Sequence, residues 1–188
     1  MSGDVTADAL VVVDVQRALV AGEHSVGDAD NYLDRWTEAL ESARTAGVPV
    51  IHLQDDGVHD PLIRRGTPGW ELVLPVADGE QVIGKAHDDG FDDTDLERVL
   101  LHAGVTRPCL IGIQSEMCVA ATARGAMSRG LTVVLPRDGH TTHAVPADGT
   151  APAVPAAHVS RVAEWSLGDE VVAPSRLADV RFSRSRAA

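Results

Sequence analysis

Ala9-Leu10-Val11-Val12-Val13-Asp14 is a run of five apolar residues, three of them β-branched, that stops at a carboxylate. No polar residue alternates with the valines, so both faces of the strand it predicts have to be buried. Further strands are expected at Val48-Pro49-Val50-Ile51-His52-Leu53, Gln81-Val82-Ile83, Pro108-Cys109-Leu110-Ile111-Gly112-Ile113 and Leu131-Thr132-Val133-Val134-Leu135, with Glu170-Val171-Val172 at an edge. Helical periods lie between them. Residues 31–46 space Leu33, Trp36, Ala39, Leu40 and Ala43 along one face and end at Gly47. Residues 94–103 begin on Thr94 with Glu97 three places on, the pattern of a capping box, and residues 118–129 close at Gly130. A last helix, 156–167, follows a Pro/Gly/Ala-rich loop over 145–154. Doubly buried strands alternating with helices predict an α/β fold, a three-layer α/β/α sandwich around a mostly parallel six-stranded sheet.

The 188 residues suit a single domain, with a core over about residues 9–173 and a frayed tail from Arg176 onward. A net charge of −12 argues against a nucleic-acid partner, which needs a basic face, and against an anionic membrane surface. No apolar run approaches the length of a membrane span, and the start lacks the basic and apolar regions of a signal peptide, so a cytoplasmic location is expected. Two cysteines, Cys109 and Cys118, make no disulfide framework.

Basic residues are distributed unevenly by type. Fifteen are arginine, and Lys85 is the single lysine. A partly buried lysine has a tunable ammonium that arginine does not offer. Lys85 ends one predicted strand, Asp14 ends another, and Cys118 lies a short turn beyond a third. A parallel sheet gathers such ends on one edge, where ligands bind. A helix N-terminus and a nearby ammonium would favour a thiolate at Cys118, and a carboxylate within reach could take its proton and return it to a leaving group. Each residue alone also has an ordinary explanation: a buried cysteine is a small hydrophobe, and an aspartate after a strand is a turn residue. The set of three is what suggests a nucleophile, a base and a charge stabiliser.

Val12-Val13-Asp14-Val15-Gln16, the strand ending at Lys85, and Gly112-Ile113-Gln114-Ser115-Glu116-Met117-Cys118-Val119-Ala120-Ala121-Thr122-Ala123-Arg124 resemble the signatures of isochorismatase-like cysteine hydrolases. The likeness runs from about residue 9 to residue 172. It takes in Gly66-Thr67-Pro68-Gly69-Trp70-Glu71-Leu72, Phe91 with Thr94, and Asp138-Gly139-His140-Thr141-Thr142. The resemblance implies that Cys118 is the nucleophile, Asp14 the general base and Lys85 the third member of a triad. It also implies a cis peptide at Ile113–Gln114, with the Gln114 and Cys118 amides forming an oxyanion hole. The cysteine favours covalent amide or imide chemistry, with a small-molecule amide as partner, no cofactor, and a homodimer as the assembly.

Zinc-binding members of the family use an aspartate and two histidines after the second strand. Here Asp55 is kept, Gly57 stands where the first histidine would be, and His59 alone does not close a site, so no metal is expected. Gln16, Trp70, Glu116, Met117 and His143 fall on loops expected to rim the pocket and contact substrate. Glu23, Asp55, Asp56 and Glu116 would give an acidic mouth suited to a cationic substrate, although solvated loop carboxylates are a commoner reason for such residues. His52, His87, His102 and His158 read as surface or helix histidines. Other small amides, carbamoyl compounds and ureides stay open as substrates, and a non-catalytic binding module or a thiol redox sensor are the rival classes.

Overall fold

The computed structural model describes residues 5–184. Its main sheet has five parallel strands: β2 (Ala9–Val13) at the centre, β3 (Val50–Asp55) and β4 (Gln81–Lys85) on one side, β5 (Pro108–Ile113) and β6 (His140–Thr141) on the other. A separate two-stranded sheet pairs β1 (Val5–Ala7) with β7 (Val180–Phe182). Helices α1 (Arg17–Val20), α2 (Ala29–Ala46), α3 (Leu96–His102), α4 (Ala120–Ser128) and α5 (Ala156–Trp165) complete the α/β fold.

The unbroken apolar run at β2 is explained by two separate cores. Leu10 and Val12 face a layer with Trp36, Leu40 and Ala43 of α2, whereas Ala9, Val11 and Val13 face a layer with Leu96 and Leu100 of α3 and Ala120, Ala123 and Ala126 of α4. Alternate residues of one strand thus serve opposite layers, as the two-residue period of a strand requires.

Three expectations change. The strand expected over 131–135 contributes only Val134, which bridges Cys109 on one side and Val172 on the other. Pro136 supplies no N–H to continue the ladder, and the chain turns there before rejoining the sheet as β6. The sheet therefore has five strands plus this bridging register rather than six full strands. Residues 176–184 are not frayed: β7 pairs in parallel with β1, and Arg184 Nε donates to Gly47 O at 2.6 Å. Residues 185–188 lie outside the described residues. Finally, Thr94 does not head a capping box. It accepts from Leu96 N at 3.2 Å, one residue early, and Glu97 pairs instead with Arg129 at 2.9 Å.

His52 is also placed differently from expectation. It is fully buried in β3, where its Nε2 lies 3.0 Å from Glu80, a carboxylate that also holds Arg44 at 2.7 Å.

The segment before β6 is tied into the frame by one carbonyl. Gly139 O accepts from Gly112 N of β5 at 3.0 Å and from the indole Nε1 of fully buried Trp36 at 2.7 Å. Trp36→Phe keeps most of the packing and removes one donor. It is expected to lower unfolding free energy by about 1–3 kcal/mol, read as a reduced urea midpoint at unchanged m-value.

Candidate active site

The strand register brings the carboxyl ends of β2, β3, β4 and β5 to one edge. Val13 stands opposite Leu53 and Gly112, and Asp55 opposite Lys85. Asp14 turns the chain out of β2 with a φ of 50°, a left-handed conformation unusual for a residue with a side chain. Backbone bonds from Asp14 N to Leu53 O (3.1 Å) and from Gln16 N to Asp14 O (2.8 Å) fix that turn. Gly112 is needed for the same close approach. Its φ is +124°, and a Cβ there would lie 2.1 Å from Val13 O. The Ile113–Gln114 peptide that follows is cis.

Beyond it the chain makes a wide turn, Ser115–Val119, in which Val119 N bonds Gln114 O at 3.1 Å, before α4 begins at Ala120. Cys118 therefore stands in this turn, two residues ahead of the helix. Lys85 lies on the inward parity of β4, an edge strand whose Val82 and Gly84 are exposed while Ile83 and Lys85 are buried.

These three residues meet around the ammonium. Lys85 Nζ is 2.8 Å from Asp14 Oδ2, 3.2 Å from Asp55 Oδ2 and 3.2 Å from Cys118 Sγ, and it donates to His87 O at 3.2 Å. The Cys118 thiol also reaches Asp88 Oδ1 at 3.7 Å. A cavity of about 270 Å³ opens over the group, walled by Leu19, Val58, Ile63, Ala86, Ile113 and Met117 together with the polar side chains of the site.

Burial sets the electrostatics. It raises the Asp14 carboxyl to about 6 in spite of the opposing pull of Lys85. Burial alone would lower Lys85, but the Asp14, Cys118 and Asp55 charges outweigh it and hold the ammonium above its ordinary range. The Cys118 thiol is pushed up by burial and by Asp14, and Lys85 offsets only part of this. The resting group is thus carboxylate, ammonium and neutral thiol. The helix terminus and the ammonium are expected to favour the thiolate; burial and Asp14 oppose them.

Asp14, Asp55 and Cys118 have ligand atoms within 4.8 Å of one another, a spacing that could hold a cation. Lys85 Nζ already bonds or pairs with all three. The zinc pattern of related hydrolases does not fit either. Asp55 spends Oδ1 on Gly57 N at 2.8 Å, and a side chain at Gly57 would start 2.4 Å from Ile63 O.

Of the five residues expected to contact substrate, Met117 lies on the cavity wall. The other four are not among the wall residues, and their polar groups are engaged by the protein. Gln16 is fully buried: its Nε2 donates to Asp55 O (2.9 Å) and Trp70 O (3.0 Å), and its Oε1 accepts from Asp55 N (3.0 Å). Trp70 Nε1 donates to Asp56 at 3.2 Å, and Glu116 accepts from Thr142 at 2.9 Å. His143 Nδ1 lies 3.2 Å from Gln114 Nε2. Sequence reading missed Asp88 and Asp60 on the wall and the pairing of Asp55 with Lys85. The aspartates of Asp88-Asp89 and Asp92-Asp93 gave no signal separating the one that reaches the thiol from its neighbours.

Residues 8–163 match the model of the Isochorismatase domain. The chain belongs to the isochorismatase family. Among curated relatives in this family, two streptothricin hydrolases of Streptomyces noursei are each 52% identical, over 178 and 177 residues. Both alignments take in 93% of this chain; it spans 71% of one relative's length and 64% of the other's. The crystal structure of a cysteine hydrolase from Pseudomonas syringae pv. phaseolicola 1448A superposes with a TM-score of 0.82 at 25% identity, covering 93% of this chain and 89% of that one. Isochorismatase-family membership and the two relatives place the chain among hydrolases of carbon–nitrogen bonds.

Two outcomes follow from the geometry. Lys85→Arg replaces a compact ammonium with a larger guanidinium in a filled site, so turnover should fall by about 100-fold or more while circular dichroism and a cooperative melt survive. If Asp14 is the base it acts ionised, so kcat/KM should fall as pH drops through about 6. The sign follows from the need for an ionised base, and the raised carboxyl sets the position: a carboxylate of ordinary acidity would put this limb near pH 4.

Proposed function

We propose that this chain is a cysteine-dependent amidohydrolase that opens the lactam of a streptothricin-type antibiotic through a thioester. The observation that carries the reading is the Cys118 thiol held 3.2 Å from Lys85 Nζ, with Asp14 paired to the same ammonium, where Asp14 and Cys118 line a cavity of about 270 Å³. Two streptothricin hydrolases at 52% identity support the substrate class.

Asp14, ionised at neutral pH, takes the thiol proton as Sγ attacks the carbonyl carbon. The Gln114 and Cys118 amides receive the oxyanion. Collapse breaks the C–N bond, and Asp14 returns its proton to the departing nitrogen. Water, deprotonated by Asp14, then cleaves the thioester to a carboxylic acid and regenerates the thiol. Lys85 stays charged throughout and balances whichever neighbour bears the negative charge. A raised thiol fits this scheme, since the proton moves only when an electrophile is present.

The wall supports a cationic substrate. Asp14, Asp55, Asp60 and Asp88 face the cavity with Lys85 as the buried ammonium beside them. Asp14 and Asp55 are engaged by Lys85; Asp60, whose Oδ1 accepts from Leu62 N at 2.9 Å, and Asp88, whose Oδ1 the Cys118 thiol reaches, each keep a second carboxylate oxygen to meet a substrate ammonium. Met117 and Gln114 supply further wall contacts. Among the described residues no helix is long and apolar enough to cross a membrane. Action as a homodimer, as the family resemblance implies, in the cytoplasm completes the reading.

Purified protein is incubated with a streptothricin-type lactam, nicotinamide and isochorismate, and products and protein are followed by mass spectrometry. The expected result is gain of one water by the lactam, with an acyl adduct on Cys118 trapped at early times. No turnover or adduct with any amide, or unchanged turnover in Cys118→Ala, would overturn the hydrolase reading. With the lactam as substrate, Asp60→Asn and Asp88→Asn should each raise KM by about tenfold, with a smaller effect on an uncharged amide.

A further inference from the structure

The turn carrying Cys118 is gripped from one side by three residues of the 140–143 segment. His140 Nδ1 lies 2.8 Å from Ser115 Oγ, Thr142 Oγ1 donates to Glu116 at 2.9 Å, and His143 Nδ1 lies 3.2 Å from Gln114 Nε2. The first contact differs from the others in being wholly enclosed. Ser115, His140 and Thr142 are buried, and Ser115 Oγ has a second partner, Ser160 Oγ of α5, at 2.9 Å. On its far side His140 Nε2 is 3.6 Å from Glu164 Oε1, a buried carboxylate that Arg161 holds at 3.2 Å and Arg137 approaches at 3.8 Å. Ser115, His140, Ser160 and Glu164 are not among the cavity-wall residues.

We propose that His140, acting through Ser115, is a positioning residue that fixes the nucleophile turn for hydrolysis. In the neutral imidazole Nδ1 accepts the Ser115 hydroxyl and Ser115 Oγ accepts the Ser160 hydroxyl, while the Nε2–H faces Glu164 at 3.6 Å without closing a hydrogen bond. Burial holds His140 well below the usual imidazole range, at about 4, so this neutral arrangement persists at neutral pH. Ser115 follows Gln114 directly and opens the wide turn that ends beyond Cys118. Its hydroxyl therefore fixes the backbone whose amides face the developing oxyanion in the proposed reaction. β6 itself is anchored to β5 by the Gly112–His140 and Ile113–Thr141 pairs, so His140 braces the turn against the same strand from which it emerges. Displacement of such a turn by about 1 Å is enough to cost about 100-fold in rate without touching substrate affinity.

The inference rests on Cys118 as the nucleophile, and its test separates the two ideas. His140→Leu keeps bulk and removes the acceptor, whereas His140→Asn places an amide oxygen near the position of Nδ1. On the lactam, His140→Leu is expected to lower kcat by at least tenfold with KM within twofold, and His140→Asn to recover most of the loss. Ser115→Ala should match His140→Leu, and the double variant should be no worse than the poorer single one, since the histidine acts through that hydroxyl. The substrate-independent readout is the rate of Cys118 alkylation by iodoacetamide, expected to change at least threefold in His140→Leu and to return toward wild type in His140→Asn. Equal losses in Leu and Asn variants, multiplicative losses in the double variant, or an effect confined to KM would overturn the positioning role. If wild-type protein hydrolyses no amide, the hydrolase reading fails separately, and the alkylation series alone decides whether His140 governs the turn.

Discussion

One buried ammonium organises this protein. Lys85 reaches two carboxylates and a thiol, and it, Asp14 and Cys118 are all buried. An unpaired charge in such a place costs several kcal/mol, and two carboxylates without the cation would repel one another across low dielectric. Each member is therefore tolerable only because the others are present. The sheet exists in a form that satisfies this condition. Its register sets Asp55 beside Lys85, and its central strand delivers Asp14 between the flanking strand ends. β4 is an edge strand with alternating burial, which lets one polar side chain point inward without disrupting a doubly covered strand.

The same condition explains why the thiol is held protonated. Asp14 and Lys85 are committed to each other at rest, so the carboxylate's negative charge opposes a second one on sulfur. The proton is moved by the arrival of an acyl group rather than stored in advance. A neutral resting thiol is also a weaker target for adventitious alkylation and oxidation than a standing thiolate.

How much of this was legible depended on whether the information was local. The β2 run, with valines on consecutive positions, could be read as a doubly buried strand because period and composition are properties of a few adjacent residues. Asp14, Lys85 and Cys118 were conspicuous because charged or nucleophilic types interrupt apolar strands at their ends. The pairing of β1 with β7 joins opposite ends of the chain, and nothing in Val180-Arg181-Phe182 announces a partner. His52 looked like a surface residue until Glu80 and Arg44, brought in from other segments, supplied its polar partners. Gln16 and Trp70 were expected on loops rimming the pocket; Gln16 instead bridges Leu72 ahead of α1 and Trp70 ends a short 3-10 helix, and position along the chain does not reveal which way an amide or indole is spent. Gln16 turned inward to satisfy the backbone of Asp55 and Trp70. Asp88 was hidden among neighbouring aspartates that differ only in the direction the chain gives them.

Gly57 has a consequence for how this chemistry and its metal-assisted counterpart are related. Its αL backbone is wedged against the Ile63 carbonyl, so no side chain of any kind has room to begin there. A single codon change to histidine would thus collide with main chain before it could present a ligand. Crossing from one catalytic strategy to the other requires the 57–64 loop to be rebuilt first, by insertion, deletion or a new turn. At residue 57 the two strategies are separated by a step in loop architecture rather than by one substitution.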